Sequence, residues 1–189
     1  MLTEKLMDDL QAIQCLKKGD ISGMDELVRN HQTKAIRTAY LIIHDEKLAE
    51  DVVQETFLRI YQRIRFFDET RPFEPYLLRS VVHTALNIAE KMCREIPMSE
   101  FEERGFVEGL ITKASSVEDQ MEYAQLKEKI FSSLCQLPPR ERALIVERYY
   151  LEMSEKEMAT KHSMAPGTIK WSLHMARSRM RTFLGLESD

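Results

Sequence analysis

Leu151-Glu152-Met153-Ser154-Glu155-Lys156-Glu157-Met158-Ala159-Thr160-Lys161-His162-Ser163-Met164-Ala165-Pro166-Gly167-Thr168-Ile169-Lys170 is the stretch whose reading decides the fold. Ser154 and Glu157 stand at capping-box spacing, so each side chain can satisfy a backbone amide left open at a helix start. Ala159 is small where a second helix would cross closely. Four residues on, Ser163 and Met164 make a short turn. Pro166 suits the first position of the next helix, because its missing N–H would have no partner there. Ile169 then returns to the core. Two helices joined by so short a turn form a helix-turn-helix pattern. The second helix presents Thr168, Lys170, Trp171, His174, Arg177 and Arg181 outward, a set suited to a major groove and its phosphates. No acid occurs between Met158 and Leu186, whereas Lys161, Lys170, Arg177, Arg179 and Arg181 do. Five phosphate contacts would give a salt slope of roughly −4. The bland alternative is a helical hairpin with a solvated basic face.

Helical periodicity extends on both sides of this stretch. Upstream it begins at Met121 and runs through Leu126, Ile130, Leu134 and Leu137 to a break at Pro138-Pro139. Three segments follow, at about 140–151, 155–162 and 166–184. In the first half, Leu6, Leu10, Ile13 and Leu16 make one amphipathic stripe. Leu27, Val28, Ile36, Ala39, Tyr40 and Ile43 make a second, over 22–43. Asp45 is a good N-cap for a third helix reaching about Phe66, with Leu48, Val52, Phe57, Ile60 and Ile64 inward. Pro72 and Pro75 suit the first turn of a fourth, which ends near Cys93. Between these halves, Pro97, Gly105, Gly109 and Ser115-Ser116 interrupt any long apolar period. No β-type alternation of useful length appears. The expected fold is all-α: two small helical domains, residues 1–95 and 122–189, joined by an acidic linker at 96–121.

Bulk properties narrow the classes. The 189 residues are 43% hydrophobic and 31% charged, with six glycines and six prolines, ordinary for a folded helical protein. A net charge of −4 looks wrong for a nucleic-acid binder, but the charge is unevenly spread. Residues 1–95 carry 14 basic against 16 acidic side chains, residues 96–124 carry 2 against 7, and residues 125–189 carry 11 against 8. No apolar run of about 18 residues is present to span a membrane, and the first residues lack the apolar core of a secretory signal. A cytoplasmic protein is expected. Cys15, Cys93 and Cys135 are far apart and read as reduced thiols. His31, His44, His83, His162 and His174 share no ligand spacing, so no metal is expected. No GxSxG, P-loop or HExxH motif appears. Neither an enzyme, nor a cofactor, nor a small-molecule substrate is expected.

Two further surfaces are readable in the first half. Over residues 49–61, Val52, Phe57 and Ile60 face inward, while Asp51, Gln54, Glu55 and Leu58 share another face at spacings of three and four. An exposed leucine among carboxylates suits a partner helix bearing arginines, and a solvated acidic face is the plain alternative. Downstream, Phe66, Phe67, Phe73 and Tyr76 cluster with Arg65, Arg71 and Arg79. Rings of this kind can stack on single-stranded bases while arginines hold phosphates, or they can simply build the core. Arg79, His83 and Asn87 recur at every fourth residue and could face DNA.

These segments carry a resemblance. Leu137-Pro138-Pro139-Arg140-Glu141-Arg142, Arg148-Tyr149-Tyr150, Ser154 to Ala159, Gly167-Thr168-Ile169-Lys170 and Leu173-His174-Met175-Ala176-Arg177 resemble the carboxy-terminal domain of extracytoplasmic-function sigma factors of bacterial RNA polymerase, in the sigma-70 family. The resemblance implies that this domain reads the minus-35 element as duplex DNA through Thr168, Lys170, Trp171, His174 and Arg177; Arg181, placed outward on the same helix, is expected to join them. Ala49 to Tyr61, with Phe66-Phe67-Asp68 and Arg71-Pro72-Phe73, is similar to the sigma segment that grips the beta-prime clamp helices. It implies core-polymerase contacts for Asp51, Gln54, Glu55 and Leu58, and capture of the melted minus-10 strand by Phe66, Phe67, Arg71, Phe73, Tyr76, Arg79, His83 and Asn87. The beta flap is a further implied polymerase contact. Departures from the pattern are Ser163 for the usual turn glycine, Ala165 for the usual cap, Trp171, Ser172 and Met175 for small or basic residues, Tyr76 for tryptophan and His83 for asparagine.

The expected function is therefore that of an alternative sigma factor directing promoter-specific initiation, in a stress or envelope response. The resemblance also implies an anti-sigma partner, which, where it is membrane-bound, would hold the chain at the inner face of the membrane. The runner-up is a stand-alone helix-turn-helix regulator, which leaves residues 45–73 unexplained.

Overall fold

The computed structural model describes residues 8–95 and 117–186, and every regular element among them is helical. The expected linker falls largely on residues 96–116, outside the described residues; 117–121 begin a helix. The chain divides into two compact units, one built from residues up to Tyr40 together with Asp45–Ala85, the other from Leu41–His44 and residues from Leu86 on.

In the first unit, α1 (Asp9–Lys17) is capped by Asp8, whose side chain accepts from the Gln11 amide at 2.8 Å. Its buried face is Ala12, Ile13 and Leu16, while Leu10, expected inward, is exposed. The reason is the next helix, α2 (Ser22–Ile43), whose residues from Leu41 on belong to the second unit. A Cβ on Gly23 would lie 2.1 Å from the Ala12 carbonyl oxygen, so the backbones touch where both residues are smallest. That contact turns α1 onto its Ala12 face and leaves Leu10 outside. Gly19, at φ +90°, makes the turn between them in a region that favours glycine. His31 on α2 lies 2.8 Å from the Asp9 carboxylate, with its ring 5.4 Å from that of Phe73.

Asp45 caps α3 (Glu46–Arg63), accepting from the Leu48 amide at 2.8 Å. Ala49, Val52, Val53, Thr56, Phe57 and Ile60 are its buried face. A 3₁₀ turn, Ile64–Phe66, follows, and α4 (Phe73–Glu95) opens with Phe73 in the core. Lys17 ties α1 to the connection between them, donating to the Phe67 carbonyl at 2.8 Å and to Glu69 at 2.7 Å.

The second unit holds α5 (Val117–Cys135), α6 (Pro139–Ile145) continuing into a π turn (Val146–Tyr150), α7 (Glu155–His162) and α8 (Pro166–Phe183). The packed part of α5 is its end, at Ser133 and Leu134, followed by Leu137. Leu126 and Ile130, expected inward, are exposed, because the helix runs on beyond the neighbours that cover its last turns. Arg142 is buried yet satisfied: its guanidinium donates to the carbonyls of Leu134, Cys135, Leu137 and Ile42 at 2.6–3.1 Å. It thereby occupies carbonyls that the end of α5 leaves open.

Candidate nucleic-acid interface and partner-binding face

The helix-turn-helix forms as its sequence dictates. Ser154 caps α7, and the reciprocal bond is present: the Ser154 amide donates to Glu157 at 2.8 Å and the Glu157 amide to Ser154 Oγ at 3.2 Å. Ser163 closes α7 in the left-handed conformation (φ 53°), a position where glycine would be easier. The Met164 amide bonds back to the Ala159 carbonyl. Ala165 gives α8 no side-chain cap, and Pro166 occupies its first turn.

What seats this pair is a buried ionic cluster. Glu147, in the π turn, is fully buried and accepts from Lys161 Nζ at 2.6 Å; His162 Nε2 lies 2.7 Å from its other oxygen. Burial alone would raise the Glu147 carboxyl, but the His162 hydrogen bond and the Lys161 ammonium hold it below the ordinary glutamate range. Both partners come from the last turn of α7. The cluster thus fixes the helix that α8 packs against.

On α8 the buried face is Ile169, Leu173 and Ala176. Thr168, Lys170, Trp171, His174, Arg177 and Arg181 are all exposed, as their outward placement required, with Trp171 63% exposed. The cationic set is smaller than the sequence suggested. Lys161 is held by Glu147, and Arg179 donates to Glu141 at 2.6 Å. Lys170, Arg177 and Arg181 remain on the outer face, which lowers the expected salt slope to about −3. Tyr149, an exposed residue of the π turn not singled out as a site, accepts from Arg177 at 3.4 Å. Its spacing from α8 along the chain hides that proximity.

Two further surfaces lie on α3 and along the connection into α4, all in the first unit except Asn87. On α3, Asp51, Gln54, Glu55 and Leu58 are all exposed, and Leu58 keeps 62% of its surface open. Glu55 pairs with Arg59 one turn along, at 2.5 Å. The aromatic cluster separates into two roles. Phe66 is 89% exposed and Phe67 8%. Phe67 and Phe73, both expected to meet single-stranded bases, lie in the core, with ring centroids 5.9 Å apart. Their rings face the core, and Phe66 is the ring of this cluster left most open. Tyr76, 5.0 Å from Phe67 between centroids, is partly open. Arg71, Arg79, His83 and Asn87 are exposed. Two hydrogen bonds from Thr70 hold the Asp68 carboxyl below its usual range and fix the turn that also carries Arg71, 3.2 Å from Asp68.

Among the described residues, no group of His, Cys, Asp and Glu is arranged to hold a metal ion, and no helix is long and apolar enough to cross a membrane.

Comparison with known proteins gives a consistent result. The Sigma-70 region 2 family matches residues 27–91, and Sigma-70, region 4 matches residues 127–180. The RNA polymerase sigma-E factor of Streptomyces coelicolor is 28% identical over 165 residues, 86% of each chain. The ECF RNA polymerase sigma factor SigW of Bacillus subtilis is 27% identical over 175 residues, 89% of this chain and 92% of its own. Among solved structures, RpoE of Bartonella quintana, in complex with the anti-sigma factor NepR, is similar in fold (TM-score 0.64, 18% identity, 87% of this chain and 98% of its own). So is CnrH in complex with the cytosolic domain of CnrY (TM-score 0.61, 21% identity, 95% and 99%).

Proposed function

The chain belongs to the sigma-70 family, as an alternative sigma factor of the extracytoplasmic-function group, and on that premise we propose how its surfaces divide the work. It binds core RNA polymerase and directs promoter-specific initiation; no bond is made or broken by its own side chains in this reading.

The α3 face docks first. Asp51, Gln54 and Glu55 offer carboxylate and amide oxygens around the open Leu58, a small apolar anchor with an acidic rim, suited to arginine-bearing clamp helices of beta-prime. Residues 1–95 then present Phe66, Tyr76, Arg71, Arg79, His83 and Asn87 to the melted minus-10 strand. Phe66 is the ring free to stack, and the arginines meet phosphates. Residues 122–189 lay α8 into the minus-35 duplex, with Lys170, Arg177 and Arg181 on the backbone and Thr168, Trp171 and His174 toward base edges. A chain of net charge −4 should hold free DNA poorly. Core polymerase fixes the spacing of the two modules and raises the effective concentration of each at its element.

The observation that carries this reading is the outward row of Lys170, Arg177 and Arg181 in a chain whose α3 presents the opposite charge. A cytoplasmic location follows from the work itself. Control by an anti-sigma protein that covers these faces extends the reading, as does use in an envelope or stress response. The test is run-off transcription with purified core enzyme. Specific transcripts that appear only when the chain is added are expected. A chain that neither co-purifies with core nor directs specific starts overturns it. Tight duplex binding without core, at a palindromic site, would instead favour the stand-alone regulator.

A further inference from the structure

We propose that Trp171 is a thymine reader: its indole contacts the C5-methyl of one thymine in the upstream element, and this contact sets the base preference at that step. The inference rests on the promoter-binding reading of α8 and goes beyond it to the chemistry read.

At about 100° per residue, Trp171 falls opposite the buried stripe of Ile169, Leu173 and Ala176. It therefore points away from the body of the domain, 63% exposed, and it lies in the second turn of α8. Lys170, His174, Arg177 and Arg181 follow one another at four, three and four residues, all to one side of it. A row of that kind follows a phosphate backbone, which leaves Trp171 beside it over the base edges. One turn earlier on the same face stands Gly167, where an added Cβ would meet nothing within 4 Å. No side chain there holds the indole away from the groove. No acidic residue occurs from Ala159 to Gly185 to repel DNA.

The chemistry of the indole selects the base. Its ring is a broad apolar surface, and its Nε1–H donates but cannot accept. In the major groove, thymine alone offers a methyl group beside an acceptor, O4. Guanine offers acceptors without a methyl. Cytosine offers a donor that indole cannot satisfy, and burying that donor unpaired is unfavourable. Adenine offers a donor beside its acceptor. Thymine is thus the one base whose edge matches both properties of the side chain.

The test uses holoenzyme reconstituted from core and the full chain, on a promoter obtained by selection with that holoenzyme. Deoxyuridine replaces each thymine of the upstream element in turn, removing the methyl and nothing else. At one position the wild-type holoenzyme should bind about fourfold more weakly, the worth of one buried methyl. In the Trp171→Ala holoenzyme the thymine and uracil duplexes should bind alike, and Trp171→Phe should restore the difference. Trp171 is exposed, so neither substitution endangers the fold. Uniform tolerance of uracil, or methyl sensitivity that persists in Trp171→Ala, overturns the inference. Either can be seen while the holoenzyme still initiates specifically. Failure of the sigma reading shows separately, as the absence of any specific transcript.

Discussion

α3 and α8 are built alike and carry exposed faces of opposite charge. Each is 18 residues long, and each buries one apolar face. On α3 the exposed side carries Asp51, Gln54 and Glu55 around Leu58; on α8 it carries Lys170, Arg177 and Arg181 around Trp171. An apolar side chain inside a charged rim is common to both, and the rims differ in sign, which in the proposed reading sends one to the polymerase and the other to DNA. Their mountings differ too. The start of α3 is capped by Asp45, whereas α8 has no side-chain cap and depends on α7, which the Glu147 cluster holds. α8, proposed to read DNA, therefore rests on a buried charge, and α3, proposed to bind polymerase, on a local cap and an apolar core.

That difference can be broken from its strongest point. Glu147→Ala leaves the Lys161 ammonium buried without its carboxylate and should destabilise the second unit by about 3–5 kcal/mol. Hydrogen exchange should then rise in α6 to α8 and not in α3; equal loosening of both would contradict the contrast. The same cluster predicts a pH dependence. The folded Glu147 carboxyl is held below its unfolded value, so its contribution is present above about pH 4.3 and disappears as the pH falls through the folded value. Stability measured against pH should lose that acid limb in Glu147→Gln, and an unchanged profile would count against it.

The α8 face is sharpened by its salt dependence. Alanine at Lys170, Arg177 and Arg181 together should make the salt slope of holoenzyme binding to promoter duplex shallower by about 3. Arg179→Ala, whose partner is Glu141, should leave the slope unchanged. The smallest effect belongs to the cap: Ser154→Ala should lower stability by about 1 kcal/mol, read by denaturant titration, with promoter preference retained.

Local features of the fold were legible because their causes are a few residues apart. Ser154 and Glu157, Asp45 and Leu48, and Pro166 at the head of α8 each act within one turn. What escaped depends on packing between distant residues. Nothing near Glu147 announces partners 14 and 15 residues away, or the π turn that aims it at them. Phe66 and Phe67 are adjacent and chemically identical, and only the tertiary position of Phe73 and Tyr76 sends one inward. Leu10 and Ile130 satisfy a helical period perfectly well, yet both stay exposed among the described residues. Of the expected site residues, the exposed face of α8 was readable because its charges interrupt no apolar stripe, whereas the aromatic cluster mixes core and surface in one short segment.

In the proposed reading the acidic face of α3 holds the polymerase. Replacing Asp51 and Glu55 together by arginine changes exposed side chains only, so the chain should remain folded while its association with core polymerase, followed by fluorescence anisotropy of the labelled chain, weakens at least about a hundredfold. Core binding that survives this reversal at wild-type affinity would contradict the account.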